Sequence, residues 1–524
     1  MALDPPRPRG TTMQDAARRP EPLEDRVGRA VGEARVWLAD HQSPDGHWVF
    51  ELEADATIPA EFILLGNWLG ERDPAIEARL AAKLRRLQGA DGGWPLFLGG
   101  EAEISATVKA YYALKLAGDD PGATHMAAAR ARVLGLGGAA RVNVFTRFTL
   151  ALFGQMSWNC VPVTRVEAAL LPGLSPFHLA KVAYWTRTVM VPLMILATLK
   201  PVRTPRGIGV AELWADPEDA RQAPLRNPTG RWPGEALLRV DRLMRRLERF
   251  VPKSVERRGI EACLGFMRER LNGEHGLGAI FPAMANALMA MEALGVPPDN
   301  PERQAARRAL DLLLTENGCQ PCLSPVWDTA LAGLAIAEAG VTHSARAAAS
   351  WLAERQILDV AGDWAWKRPN TRPGGWAFQY RNDHYPDVDD TAAAAMALDR
   401  ADRERHREAI VRAAEWIVGM QSRGGGWGAF DADNTHAFLD NIPFADHGAL
   451  RDPPTADVSA RCLAFLAQTG LGHEAAARAV GFLWRAQEPE GSWFGRWGTN
   501  YIYGTWSALV ALSAAGVAPW HPRL

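Results

Sequence analysis

An all-α fold is predicted by three features of the sequence: helical spacing of apolar residues, scarce strand-like alternation, and a turn motif that recurs at helix ends. Apolar residues three and four apart run through Ala-, Leu- and Arg-rich stretches at 74–88, 104–117, 302–315, 328–339, 344–355, 390–400, 406–420, 456–469 and 474–486. Clusters of Pro, Gly and Asp separate them. The motif is Gln-x-x-x-Gly-x-Trp. It is complete at Gln42–Gly46–Trp48, Gln88–Gly92–Trp94, Gln421–Gly425–Trp427 and Gln487–Gly491–Trp493. A looser copy is read from Gln356 through Gly362 to Trp364, and a degenerate one around Gly273–Gly278 has lost its Trp. A Gln at a helix end can bind exposed carbonyls, Gly supplies a left-handed stop, and Trp can cover the turn. Each copy should tie one helix end to the next helix. Helix pairs that cannot bury a face alone stack into arrays. The copies lie before 100 and after 350, which predicts two α/α barrels with a hinge at Pro297-Pro298-Asp299-Asn300-Pro301.

Taken in order, residues 1–25 are rich in Pro and Arg and read as a disordered leader. Residues 26–300 form the first barrel and 301–524 the second, since 524 residues exceed one hydrophobic core. The segment 218–255 differs from the rest. Pro224, Pro228 and Pro233 lead into a helix with Leu237, Leu238, Val240, Leu243, Met244, Leu247 and Phe250 on one face. Arg239, Arg242, Arg245, Arg246 and Arg249 form the other. Such a helix either lies in a bilayer interface or packs on its barrel. No continuous apolar stretch of ~20 residues predicts a transmembrane helix.

Charged residues make up 23% of the chain and the net charge is −2, which excludes a polyanion such as nucleic acid as partner. Five cysteines, an odd and sparse count with no visible signal peptide, point to a reducing cytosol. Cys319 and Cys322 have CxxC spacing, but neither a second pair nor a His cluster completes a zinc site, so no metal is expected. The 20 Trp outnumber 17 Phe and 7 Tyr. Indole serves either as packing mass or as the ring face that best attracts a cation.

The chemistry concentrates at Asp387-Val388-Asp389-Asp390, just before the helix-forming run Thr391–Leu398. One Asp suffices to cap a helix; three in four residues exceed that need. Crowded carboxylates cannot all ionise, so one stays protonated and is a general acid; magnesium binding is the rival use of such a cluster. Trp364, Trp366, Trp376, Phe378, Tyr380 and Tyr385 precede the acid, and Trp427, Phe430, Trp493, Phe494, Trp497, Tyr501 and Tyr503 follow it. An acid among aromatic walls suits protonation of an alkene and shelter of the resulting carbocation.

Several collinear runs carry a resemblance. They are Ser324-Pro-Val-Trp-Asp-Thr329, Gly362-Asp-Trp-Ala-Trp-Lys-Arg-Pro-Asn370, Pro373-Gly-Gly-Trp-Ala-Phe-Gln379, Pro386-Asp-Val-Asp-Asp-Thr391, Asp452-Pro-Pro454 and Gly495-Arg-Trp-Gly-Thr-Asn-Tyr-Ile-Tyr-Gly-Thr505. Across most of its length the chain resembles the squalene–hopene cyclases, bacterial class II triterpene cyclases, and its repeats look like that family's QW motifs. The resemblance implies two α/α barrels of the terpene cyclase type around a cavity entered from the membrane. It implies an isomerase that cyclises squalene to hopene, and to hopanol, in hopanoid biosynthesis, with no cofactor. It implies a monotopic protein on the cytoplasmic face of the cell membrane, with 218–255 as the contact helix, and a homodimer.

Residue by residue, the resemblance implies Asp389 as proton donor, with Asp387 and Asp390 in support and Arg461 as the basic group beside it. Asp328 and Asp457 match polar partners of the site. Trp185, Trp327, Phe378, Phe430, Trp497 and Tyr503 match the cation-stabilising wall, and Phe145 and Phe281 match further cavity positions. Glu61 matches the carboxylate at the terminating end. One departure stands out: family members continue well beyond the Asn500–Thr505 run. About eight or nine helices after 310 also fall short of a closed double ring of about twelve, so the second barrel is expected to be incomplete, with apolar faces exposed. Two alternatives follow. A class II diterpene cyclase acting on geranylgeranyl diphosphate would need a basic pocket; an inactive helical-barrel remnant would fit the missing segment. A protein prenyltransferase is excluded, because its Asp/Cys/His zinc set is not apparent.

Overall fold

The turn motif proves to be a four-way joint. The structure, a computed structural model, describes residues 22–498 and 500–524. Residues 1–21, most of the expected leader, lie outside the described residues, and the first helix begins at Leu23. Among the described residues there are nineteen α-helices, several 3-10 turns and no strand beyond isolated bridges. In each complete copy the Gln side-chain amide donates to the carbonyl of the motif Gly and to a carbonyl elsewhere. Gln42 reaches Gly46 and Ser344, Gln88 reaches Gly92 and His125, and Gln421 reaches Gly425 and Ala475, all at 2.7–3.0 Å. The Trp indole donates to a carbonyl ten residues back: Trp48 to Leu38, Trp94 to Leu84, Trp427 to Ile417 and Trp493 to Leu483. The Trp backbone N–H then donates to a hydroxyl on the next inner helix, from Thr329, Thr107, Ser459 or Thr505. Gly is required on two counts. Its φ is +84° to +99° in the four copies. A Cβ at Gly46, Gly92 or Gly425 would also fall 2.6–2.9 Å from the backbone of an outer helix.

The looser copy has a different register from the one read in the sequence. Gln356 donates to Gly374 and Ala409, and the indole that donates back, to Leu352, is Trp376. The Trp376 backbone N–H also donates to the hydroxyl of Thr391. The intervening residues loop out through the 3-10 turn Asp363–Trp366, and the joint closes after the loop returns. Trp364 instead packs edge-on against Trp416, its indole N–H without a protein partner. In the degenerate copy Asn272 takes the amide's place, donating to Gly276.

Two cores result. One gathers Ala56 to Leu313 and takes in Leu439, Phe444 and Leu450 from late in the chain. The other spans Val326 to Leu512 and takes in Tyr184 from the first half. Trp48 packs on Ala332, Ile336 and Ala348, so the early segment lies on the second half. In that half Pro325–Glu338, Val388–Asp402, Ala456–Thr469 and Tyr501–Ala514 pack side by side as inner helices, with Thr342–Ala353, Arg407–Met420 and His473–Ala486 against them. Inner helices are apolar nearly all round, which is why Val388–Asp402 buries Ala392 to Ala395 completely. The last helix sets Gly504, Ser507, Ala508 and Ala511 inward and leaves Ile502, Trp506, Leu509 and Val510 exposed. Arg187 ties the halves together, buried between Asp431 at 3.1 Å and Asp363 at 3.4 Å.

Helix Trp232–Leu247 turns an unusual face inward. Asp241 is buried, accepts from Val163 N–H at 2.7 Å and pairs with Arg245. Arg245 in turn donates to the carbonyls of Trp158 and Val161. The apolar residues Trp232, Val240, Leu243, Met244 and Leu247 are exposed, as is Phe250 beyond them. Among the described residues no helix is long and apolar enough to cross a membrane.

Candidate active site

The acidic run is built onto the joint of the fifth motif copy. Asp387 N–H donates to Trp376 O at 2.7 Å, and Val388 N–H to Ala429 O at 2.7 Å, which clamps the run between two turns. Asp387 is the N-cap of Val388–Asp402: its carboxylate accepts from Asp389 N–H at 2.7 Å and Asp390 N–H at 3.3 Å. Capping consumes this one carboxylate and leaves Asp389 and Asp390 free for other work.

All three line a cavity of about 470 Å³ with Tyr184, Trp185, Trp327, Phe378, Phe430, Trp497 and Tyr503. Burial raises all three carboxyl groups, Asp387 and Asp390 well above the ordinary range, where the neighbouring carboxylates add to the effect. Asp389 is raised as well, by burial first, but the Arg461 guanidinium pulls it back. Arg461 Nε donates to Asp389 Oδ1 at 3.1 Å. Its Nη2 donates to Tyr503 Oη at 2.6 Å, and the guanidinium lies 5.2 Å from the Trp327 ring centroid. Asp389 is therefore the carboxyl with a cation in contact. Asp390 Oδ1 is buried without a protein partner.

The wall is a continuous aromatic cluster. Phe430 lies 4.2 Å from Tyr184 and 6.0 Å from Trp185, and Trp185 lies 5.2 Å from Trp497, centroid to centroid. Trp497 is 44% exposed, so the wall is open to solvent there. Asp452 holds the Phe430 segment rigid by accepting three backbone N–H groups, from Ala429, Phe430 and Asp431. Asp457 accepts from Trp497 N–H at 2.7 Å and lies close enough to raise Asp389; it does not line the cavity. Asp328 likewise sits behind the wall, accepting from Phe50 N–H and Ser324 Oγ.

A second compartment of about 360 Å³ adjoins the first; Trp185 and Ile280 line both. Phe145 and Glu61 line it, with Glu61 paired to the buried Lys109. Phe281 does not line either compartment. It is fully buried and packs on Phe62, because it opens the helix Phe281–Ala293 on the side facing the first core.

Residues 31–318 match the family model described as the squalene-hopene cyclase N-terminal domain, and residues 323–524 the squalene-hopene cyclase C-terminal domain. The chain belongs to the squalene–hopene cyclase family. It is 53% identical over 527 residues to the squalene–hopene cyclase of Zymomonas mobilis, covering 95% of this chain and 79% of that one. Identity to the squalene–hopene cyclase of Bradyrhizobium diazoefficiens is 50% over 517 residues, covering 94% and 78%. A dammaradiene synthase from Dryopteris crassirhizoma is 35% identical over 517 residues, covering 94% and 75%. The all-α architecture of two α/α domains is that of this cyclase family.

Sequence reading missed three contributors to the site, two that line it and one that holds its wall. Tyr184 stands directly before Trp185 and lies tilted against Phe430. Asp452 lies in a run noted for its pattern alone. Lys109 was the most visible signal, a mid-helix cation in the stretch Ile104–Ala117, whose other lysine, Lys115, lies in the last turn.

Proposed function

We propose that this chain is a squalene cyclase that forms hopene, and hopanol, by acid-initiated cyclisation, with Asp389 as the proton donor. The observation that carries the reading is one buried carboxyl, raised by burial and held by Arg461, facing a cavity walled by aromatic rings. Burial favours the protonated form of Asp389, and the Arg461 cation stabilises the carboxylate left after transfer, which makes the group a stronger acid than burial alone would. Burial drives Asp387 and Asp390 toward their neutral forms, which limits the charge they set against that step. The proton goes to a terminal alkene carbon of squalene, and each ring closure moves the cation along the chain. Tyr184, Trp185, Phe430 and Trp497 present ring faces and edges without a strong nucleophile; cation–π contacts contribute ~0.5–2 kcal/mol each. Glu61, in the adjoining compartment, is placed to end the sequence by accepting a proton or ordering water.

Among the described residues lining the two compartments Lys109 is the one cation, and Glu61 neutralises it. No lining side chain there matches a diphosphate, so a prenyl diphosphate substrate is disfavoured. The outward apolar ridge of Trp232–Leu247, flanked by the exposed Arg239, Arg242 and Arg246, supports a peripheral membrane contact, with Asp241 turned to the protein. Five free cysteines fit a reducing compartment, and hence the cytoplasmic face. The test is incubation of the purified chain with squalene in detergent, with geranylgeranyl diphosphate in parallel. Pentacyclic product from squalene supports the reading; product from the diphosphate alone overturns it.

A further inference from the structure

A buried cluster of charges behind the aromatic wall takes no part in the initiation chemistry. Asp363, which opens the 3-10 turn Asp363–Trp366, is its centre. Arg270 donates to Asp363 Oδ1 through Nε at 3.1 Å and Nη2 at 2.5 Å, and Arg187 Nε lies 3.4 Å from Oδ2. Arg187 Nη2 also donates to Asp431 Oδ1 at 3.1 Å, and Asp431 directly follows Phe430. Burial would raise the Asp363 carboxyl, but the Arg187 and Arg270 guanidiniums hold it below the ordinary carboxylate range. An ionised acceptor makes the stronger hydrogen bond. One such bond leads toward the cavity: Tyr385 Oη donates to Asp363 Oδ2 at 2.7 Å. Asp363 N–H donates to His384 O at 3.1 Å, so the turn grips the chain on both sides of that phenol's backbone bond. Tyr385 is buried and does not line the cavity, but its ring lies 4.5 Å from that of Tyr184, which does. Gln379 bonds the Tyr184 hydroxyl, and Tyr385 and Phe430 pack against its ring.

We propose that Asp363 is a positioning residue for ring closure: through Tyr385 it fixes the Tyr184 ring beside the growing cation, and so sets how much squalene reaches the fully cyclised product. The proposal rests on the cyclase reading above. A cation part-way along the sequence has two fates. In one, the π electrons of the next alkene form a C–C bond to the cationic carbon, which closes a ring and moves the cation onward. In the other, a C–H bond beside the cationic carbon breaks, its electron pair becomes a double bond, and the proton goes to water. The second fate releases a partly cyclised alkene. An aromatic ring held where the charge arrives favours closure over proton loss, because it stabilises the charge at that position and not elsewhere. Without its bond to Asp363 the Tyr385 ring is no longer fixed, and the Tyr184 ring packed on it loses its register.

Every product descends from a cation begun at Asp389, so the rate of initiation cancels in the ratio of partly to fully cyclised products. Any loss of folded chain cancels too, and a merely structural role for Asp363 would leave the ratio unmoved. The assay is squalene incubation in detergent, with products separated by gas chromatography and identified by mass spectrometry. Tyr385→Phe keeps the ring and removes the hydroxyl that meets Asp363. Its ratio should rise about 2- to 30-fold, the factor that one cation–π contact is worth. Asp363→Asn keeps the shape and removes the charge, and its ratio should rise at least as far; Tyr385→Phe guards against an Asp363 variant that does not fold. Tyr184→Leu removes the ring itself and should raise the ratio. Adding Tyr385→Phe to Tyr184→Leu should change nothing further, because Tyr385 acts through that ring. A Tyr385→Phe chain with the unsubstituted ratio overturns the proposal and leaves the cyclase reading intact. A full additional rise when Tyr385→Phe joins Tyr184→Leu overturns it equally. An unsubstituted chain that cyclises nothing overturns the cyclase reading and this proposal with it.

Discussion

Replacing Arg461 by Gln tests how the acid is tuned. The guanidinium touches Asp389 at 3.1 Å, and the two side chains are 9% and 10% exposed, so little solvent screens the contact. A cation at such a distance lowers a carboxyl pKa by about 1–3 units. Removing it adds that rise to the one burial already imposes on Asp389. Two consequences have opposite signs. The acid becomes weaker: with the proton half transferred in the transition state, protonation slows about 3- to 30-fold. The protonated form also persists to higher pH, so the alkaline limb of kcat/KM should move up by about 1–3 units. The assay is squalene turnover across pH in detergent, with thermal melting of both chains to separate chemistry from folding. A rate loss with the alkaline limb unmoved, or moved down, would refute the role given to Arg461.

Three further outcomes are expected. Gln421→Ala removes the two buried hydrogen bonds to the Gly425 and Ala475 carbonyls and the one Gln421 accepts from Arg478. At roughly 1–3 kcal/mol for each unsatisfied group, melting should drop by about 5–15 °C. Gln487 makes the same bonds at an exposed site, so Gln487→Ala should cost less than about 1 kcal/mol; equal effects would contradict the burial argument. Leu243→Ser with Met244→Ser removes exposed apolar side chains, so it should weaken co-sedimentation with phospholipid vesicles and leave melting nearly unchanged. Unaltered vesicle binding would refute the membrane contact. Raising pH from about 4 to 6 should tend to destabilise the fold through Asp452, whose carboxyl is raised to about 6 by burial and therefore binds a proton that the unfolded chain has lost. An Asp452→Asn chain should lose that slope in a melting series.

Nine of the helices, from Pro74–Leu87 to His473–Ala486, and four of the motif joints were legible because each is a local pattern: helical spacing between turns, or a Gln, Gly and Trp at fixed separation. The fifth joint was not. Gly362 and Trp364 match the spacing better than Gly374 and Trp376, and only the three-dimensional return of the loop shows which indole reaches Leu352. The acid was legible at two levels. Three carboxylates at a helix start exceed what capping needs, and the structure assigns the cap to Asp387. Which of the others meets a cation depends on Arg461, 72 residues away, and spacing cannot reveal it. Phe281 and Phe145 looked alike as aromatic positions; one is packed behind the wall and the other lines the compartment. The helix Trp232–Leu247 was amphipathic on paper, but sequence could not say which face turns inward. Asp241 and Arg245 settle that, through backbone partners in a distant loop.

The central claim is that cyclisation starts with a proton from a buried carboxyl in exchange with solvent. The direct measurement is cyclisation of squalene in D2O, read by mass spectrometry of the product, with Asp389→Asn in parallel. The account predicts one deuterium in the terminal gem-dimethyl ring and no product from Asp389→Asn. Product without deuterium, or undiminished turnover by Asp389→Asn, would contradict it.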